Sequence, residues 1–374
     1  MSSFPSLCVC VLRERLIMNE RIEKIRKYLE EIKIECLLVD SPFDMLYLLH
    51  INQSYNYIEL NCILLITHKK IFIISTPLTL SIVKEYLPKS VEIIQAETRA
   101  FIEKHFRYIK EVREIIEKEK IETIGLISAQ YIDASDGCVR VENPIPSLAA
   151  VKTDEELEFI RKSAVILRNV FKKVKAQIVE GCGEIELRNI IDVELYKEGS
   201  EKRAFPTKVA FGRKTANIYP VSTMERLKEN DTILMDMGSV YKGYIAEMAR
   251  TLFYGETDAQ QNEIYDIVLS AYKKMKAFLK PGIIASAADA VVRDYFKEMG
   301  HSQFFFHPLG ESTGLVQGGI SLAPNSQEVL KSGMVFVVEP ALYLPDWGGV
   351  KIKETILIID DGIEELTGGP EQDE

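Results

Sequence analysis

Asp236 and Glu247 stand eleven positions apart, with Gly238, Gly243 and Tyr244 between them. That composition reads as a hairpin, which would set the two carboxylates on adjacent strands. Acids brought together in this way can share a proton or hold a cation. Further along come His307-Pro308-Leu309-Gly310-Glu311, then Val338-Glu339-Pro340, then Trp347 and the run Val350-Lys351-Ile352-Lys353-Glu354. Imidazole, carboxylates and an ammonium at Lys353 are the side chains from which proton transfer or ion binding is built.

The elements that must position these groups fall into two domains, in line with 374 residues at roughly 150 per domain. The first seventeen residues, MSSFPSLCVCVLRERLI, read as an extension, with Met18 as a candidate start. From Asn19, a candidate N-cap, Ile22, Ile25, Leu29 and Ile32 recur at helical spacing. Strand runs follow at 36–40, 62–68, 70–76 and 123–128, with an amphipathic stretch at 101–118. Helices interleaved with short apolar strands predict an α/β domain with a mixed sheet over 18–146, closed by the linker Asn143-Pro144-Ile145-Pro146.

The second domain, 147–367, opens on the capping pattern Thr153-Asp154-Glu155-Glu156. Leu157, Ile160, Ala164, Leu167, Phe171, Val174 and Ile178 then predict one long helix stopped near Gly181 and Gly183. A second helix covers about 184–198, and another pair covers about 258–279 and 286–299. Strands are expected at 232–236, 245–254, 334–344 and 350–359, giving an α+β arrangement in two halves. The tail 368–374 is polar and acidic.

Composition removes several functions. Lys+Arg 46 against Asp+Glu 56 leaves a net charge of −10, which argues against nucleic acid, whose binding relies on cationic stripes. No apolar run approaches the ~20 residues that span a bilayer, so no membrane role is expected. Six cysteines at 8, 10, 36, 62, 138 and 182 form no zinc spacing, and they read as reduced thiols of a cytoplasmic protein.

In order and spacing, these motifs resemble the creatinase/prolidase/aminopeptidase P family, whose C-terminal domain is the pita-bread fold. The resemblance runs from Met18 to Gly368 and includes the junction Leu148-Ala149-Ala150-Val151-Lys152 and the closing stretch 361–367. It implies a creatinase/prolidase-type N-terminal domain, a homodimer, a peptide or small-molecule ligand, and two divalent ions that activate a water. The five implied ligand positions fall at Asp236 and Glu339, which keep the family's residue, at Glu247, which replaces an aspartate, at Glu311, which replaces a histidine, and at Lys353, which replaces a glutamate. Glu354 does not rescue the last position, because neighbouring strand residues face opposite ways. A supporting histidine falls at Tyr219 in the stretch after Phe205-Pro206-Thr207-Lys208-Val209-Ala210, where the family has Phe-Pro-x-Ile-Val-Ala. A later His-Glu pair falls at Gly318-Gly319. His307 matches an outer histidine, Tyr343 and Trp347 match the rim of the substrate site, and Arg250 reads as a partner for buried carboxylates.

Four carboxylates facing the single ammonium of Lys353 cannot all stay ionised at neutral pH. Either protons or one hard cation (Mn²⁺, Mg²⁺ or Ca²⁺) would complete the set, and a dinuclear centre is not expected. Two functions follow. One is a non-catalytic binding or scaffold protein. The other is a metal-independent or single-ion hydrolase of a C–N bond, with His307, Tyr219 and Lys353 handling protons and the lysine's pKa lowered by desolvation.

Overall fold

The computed structural model describes residues 6–51, 62–84, 87–96, 108–128, 137–315 and 318–370, with positions 6–17 and 82 described by backbone alone. Two compact units divide at Ala149 and Ala150. The N-terminal unit begins with α1 (Ser6–Ile32), which buries Met18, Ile22, Ile25 and Leu29. The helix therefore starts upstream of the expected cap at Asn19. After Pro5 no proline or glycine interrupts the chain up to Ile32, so nothing stops the helical turn from extending back.

The unit continues with β1 (Cys36–Val39), α2 (Pro42–Leu48), β2 (Cys62–Thr67), β3 (Ile71–Ser75), α3 (Pro77–Val83), β4 (Val91–Gln95), α4 (Ile109–Glu119), β5 (Ile124–Leu126) and β6 (Cys138–Arg140). Its sheet has the order β4-β3-β2-β1-β5-β6. The β1–β2 and β2–β3 pairs are antiparallel, while β3–β4, β1–β5 and β5–β6 are parallel, so the expected mixed sheet is present. Central strands such as β3 are buried along their whole length, which matches their unbroken apolar runs. The first part of the amphipathic stretch at 101–118, through residue 107, lies outside the described residues.

The proline-rich segment at 143–146 is not an extended linker throughout. It enters α5 (Ile145–Ala150), where Asn143 Oδ1 accepts the Ile145 N–H at 3.0 Å. A proline near a helix start lacks an N–H that would be unpaired in any case.

The C-terminal unit is two helix pairs laid against antiparallel sheets. α6 (Asp154–Lys175) carries the predicted capping box, and α7 (Glu184–Lys197) follows it. Their apolar faces share a core with β7 (Lys208–Phe211), β8 (Thr232–Tyr241) and β9 (Tyr244–Phe253). α6 ends six residues before Gly181, sooner than the apolar spacing suggested. α8 (Ala259–Phe278) and α9 (Ala285–Glu298) share a second core with the later strands.

Those strands are β10 (Gly310–Ser312), β11 (Ser321–Leu322), β12 (Val335–Val338), β13 (Ala341–Leu344), β14 (Gly348–Lys351), β15 (Glu354–Ile359) and β16 (Gly362–Glu365). They form a sheet of order β11-β10-β12-β15-β16 and a separate β13-β14 ribbon. The expected runs 334–344 and 350–359 are thus each two strands. Pro340 cannot donate to a ladder, and Ile352 and Lys353 lie between the two pairings. Among the described residues no helix is long and apolar enough to cross a membrane.

Candidate functional site

The β7-β8-β9 sheet brings the first charges together. Lys208 lies directly opposite Asp236, and Glu247 directly opposite Gly238. Opposed residues share a face, and so do residues two apart on one strand, so Lys208, Asp236 and Glu247 project from one side. Gly238 on that side leaves room for a ring: a Cβ there would stand 2.7 Å from Ala204 Cβ and 2.8 Å from Phe205 Cε1. An isolated bridge between Ala249 and Lys353 ties in the link between β14 and β15, and Glu339 follows β12.

The result is a buried ionic lattice with more cations than the sequence reading allowed. Lys353 Nζ donates to Glu247 Oε2 at 3.0 Å and makes ionic contacts at 3.0 Å with Asp236 Oδ1 and at 3.6 Å with Glu339 Oε2. Lys351 Nζ donates to Asp236 Oδ2 at 3.2 Å and pairs with Glu339 Oε2 at 2.6 Å. Lys208 Nζ adds a longer contact, 3.6 Å from Asp236 Oδ2. Lys351 and Lys353 are each 4% exposed, Asp236 is 1% exposed and Glu247 is fully buried.

Burial alone would push every one of these groups toward its neutral form. The opposite charges reverse that trend for most of them. Burial raises the Asp236 carboxyl, but Lys351 and Lys353 more than offset it and leave it well below the usual range. Glu339, also pushed up by burial, is brought down to about 2 by Lys353 and Lys351. Burial depresses both inner lysines, yet Asp236 and its fellow carboxylates raise them above the ordinary value. The expected lowering of the Lys353 pKa by desolvation is therefore corrected: the acids that surround it keep it an ammonium. Glu247 stays raised because burial there outweighs Lys353. Its Oε1 is buried with no hydrogen-bond partner among the described residues.

Glu354 faces away, as strand alternation requires. It pairs with Arg250 Nη2 at 2.8 Å and accepts from the Thr367 hydroxyl, all three residues being buried. Arg250 is thus the partner of a buried carboxylate that the sequence suggested. Thr355, next along, fixes the Glu247 backbone by donating to its carbonyl at 2.9 Å and accepting its N–H at 2.8 Å.

A pocket of about 350 Å³ opens over the lattice, with Lys208, Tyr219, Glu247, His307, Glu311 and Glu339 among the residues of its wall. His307 Nδ1 lies 2.8 Å from the Pro308 carbonyl, which can only accept, so Nδ1 carries the proton. Nε2 then accepts from the Tyr343 hydroxyl at 3.1 Å. Burial pushes that phenol up to about 12, which keeps it a donor, and burial also lowers the His307 pKa. Tyr343 thus sits behind His307, 1% exposed and outside the pocket wall. Trp347, in the turn between β13 and β14, packs against the second core and does not line the pocket. Glu311 reaches the wall from β10. Tyr219 is 78% exposed at the mouth, and its ring lies 5.1 Å from Lys208 Nζ.

The segment that carries Tyr219 is held by a residue that sequence reasoning missed. Glu184 at the start of α7 is fully buried and accepts from Phe211 N at 2.9 Å, Thr223 N at 2.7 Å and Thr223 Oγ1 at 2.9 Å, and from Lys214 Nζ. One carboxylate therefore ties together the two ends of the segment 212–222, which follows β7 and carries Tyr219. Glu184→Ala leaves those buried donors unsatisfied. The expected outcome is a loss of about 2–4 kcal/mol and faster hydrogen exchange at the Phe211 and Thr223 amides. Unchanged exchange at those two amides would refute the clamp.

Comparison with known proteins agrees with this architecture. A Xaa-Pro dipeptidase from Pyrococcus furiosus is 29% identical over 362 residues, covering 94% of this chain and 98% of its own. The solved Xaa-Pro dipeptidase from Bacillus anthracis superposes with a TM-score of 0.84 at 27% identity, covering 94% and 98% of the two chains. The fold alone also extends to the N-terminal domain of FACT complex subunit SPT16 from chickpea, with a TM-score of 0.77 at 18% identity. The prolidase neighbours have the same division into an N-terminal domain and a C-terminal pita-bread domain. Residues 158–360 match the model of Metallopeptidase family M24, a span that holds the hairpin carboxylates, both inner lysines and His307, and the chain belongs to that family.

Proposed function

We propose that this chain is an M24-family protein in which two lysine ammoniums stand in place of a pair of metal ions, and that it binds a small molecule or short peptide without hydrolysing it. The observation that carries this reading is the position of Lys351 and Lys353, between 2.6 and 3.6 Å from the oxygens of Asp236, Glu247 and Glu339. Those oxygens are the donors a divalent pair would need. An ammonium at that distance repels a second cation and offers it no lone pair. Glu311 and Lys353, at positions where the family pattern has histidine and glutamate, remove two further ligands. The residues present do not fit a dinuclear centre.

The same groups make poor acid–base catalysts. Lys353 and Lys351 are held protonated by their carboxylates, so neither is a base at neutral pH. The free lone pair of His307 is already engaged by Tyr343. Tyr219, where a histidine is expected, offers a phenol largely open to water. A pocket with an intact wall, whose inner lysines and imidazole are already engaged, suits binding better than turnover.

Metal analysis of the native protein, with a panel of Xaa-Pro dipeptides and creatine-like amidines, tests the proposal. The expected result is no stoichiometric divalent metal and no turnover with or without added Mn²⁺. Two tightly held ions accompanied by prolidase activity would overturn it.

A further inference from the structure

The lattice under the pocket leaves one of its cations incompletely matched. Lys351 and Lys353 each have a carboxylate oxygen at 3.0 Å or less, while Lys208 Nζ has only Asp236 Oδ2, at 3.6 Å. That oxygen is already taken by Lys351 at 3.2 Å. The other neighbours of Lys208 Nζ are two aromatic rings, Phe205 at 5.0 Å and Tyr219 at 5.1 Å. The rings attract a cation but give its three N–H groups no in-plane acceptor. Among the described residues no acceptor lies within hydrogen-bond distance of this ammonium. Its side chain is 19% exposed, against 5% for each inner lysine, and it belongs to the pocket wall.

In the family pattern that this stretch resembles, Phe-Pro-x-Ile-Val-Ala, an isoleucine takes the place of Lys208. Replacing an apolar residue with a half-matched ammonium beside a cavity is costly unless something completes it. The inner lattice does not do so, because the carboxylate oxygen it offers, Asp236 Oδ2, stands at 3.6 Å, beyond hydrogen-bond distance. The exposed side of the ammonium faces the pocket, which is where a partner can reach it.

We propose that Lys208 is the specificity-determining residue of the pocket and that it receives a carboxylate carried by a dipeptide-sized or smaller molecule. The carboxylate seats against Nζ on the side away from Asp236, with the Phe205 and Tyr219 rings flanking the ammonium. A volume of about 350 Å³ sets the size, at the lower end of small-molecule pockets. The assignment rests on the binding reading above, and it separates ligands by charge at one end, which that reading does not.

Calorimetric titration of the full chain at neutral pH tests it, with propionate, N-acetylglycine and N-acetylproline each compared with its amide. The acid and amide of a pair differ in charge and hardly in shape. At least one acid is expected to bind roughly 10- to 100-fold more tightly than its amide, the range for a hydrogen bond to a charged group. Lys208→Ile, which installs the residue of the family pattern, is expected to abolish that preference, and Lys208→Arg to keep most of it. Thermal unfolding of both variants confirms that they fold. Acids that bind no better than amides across the series, or a preference that survives Lys208→Ile, would overturn the assignment. Either result, found with metal-free and inactive protein, leaves the ammonium-for-metal reading standing. Bound metal with turnover would defeat that reading whatever Lys208 does.

Discussion

Lys353→Met is expected to lower the unfolding free energy by about 3–5 kcal/mol, the range for breaking a buried ion pair by removing one partner. Lys353 Nζ touches Asp236, Glu247 and Glu339, and the residue is 4% exposed. Methionine fills much of the volume, so the loss is electrostatic and not a cavity effect. What remains is a buried cluster of acids with Lys351 as its main cation. The companion variant Lys353→Met/Glu247→Gln removes one charge of each sign and is expected to recover about half of the loss. Equilibrium urea unfolding checks both, read from the midpoint at an unchanged slope. A loss below about 1 kcal/mol for the single variant, the scale of a surface pair, would mean that Lys353 is not the neutralising charge.

Acid is expected to unfold the protein through the same lattice. Glu339 has a folded pKa of about 2, against an ordinary glutamate near 4.3. Its folded value is depressed, so its contribution is fully present above about pH 4.3 and is lost as pH falls through about 2. A shift of that size corresponds to roughly 3 kcal/mol. Asp236 acts in the same direction. Glu247 acts in the opposite sense: its raised pKa means that the native state holds that proton more tightly, which slightly offsets the gain as pH rises. The net expectation is a steep fall in stability between pH 4 and 2, and Glu339→Gln should flatten it. Denaturant midpoints measured across that window decide the matter. A wild-type curve parallel to that of Glu339→Gln would remove the ionic account of this residue.

Much of the site was legible because chemistry-bearing residues kept their order. Asp236, Glu247, Glu311, Glu339 and Lys353 could each be placed from short motifs, and alternation correctly turned Glu354 away from Lys353. The same rule, carried two residues back, would have set Lys351 beside Lys353 on the same face. That signal was in the sequence and went unused, which is why a single ammonium was expected. Lys208 was harder to find, since its place opposite Asp236 depends on how β7 pairs with β8, and nothing local encodes that register. Glu184 was harder still. A glutamate in the first turn of a helix reads as an ordinary match to the helix dipole, and only the loop folded onto it reveals four donors converging. In the fold, α6 and α7 announced themselves by period and capping. The split of 334–344 and 350–359 into two strands each was legible at Pro340 but not at Ile352, where no residue type marks the break.

The lattice of Lys351 and Lys353 has a consequence for how the molecule meets its surroundings. Ions borrowed from solution come and go, so a protein that relies on them gains or loses solidity with their abundance. Positive charges anchored to the backbone cannot leave, and their local supply is fixed by the length of a side chain. This chain therefore carries its own counterweight from the moment it folds. On the reading proposed above, its endurance does not vary with the divalent content of its environment, and a chelating agent leaves its unfolding midpoint unchanged.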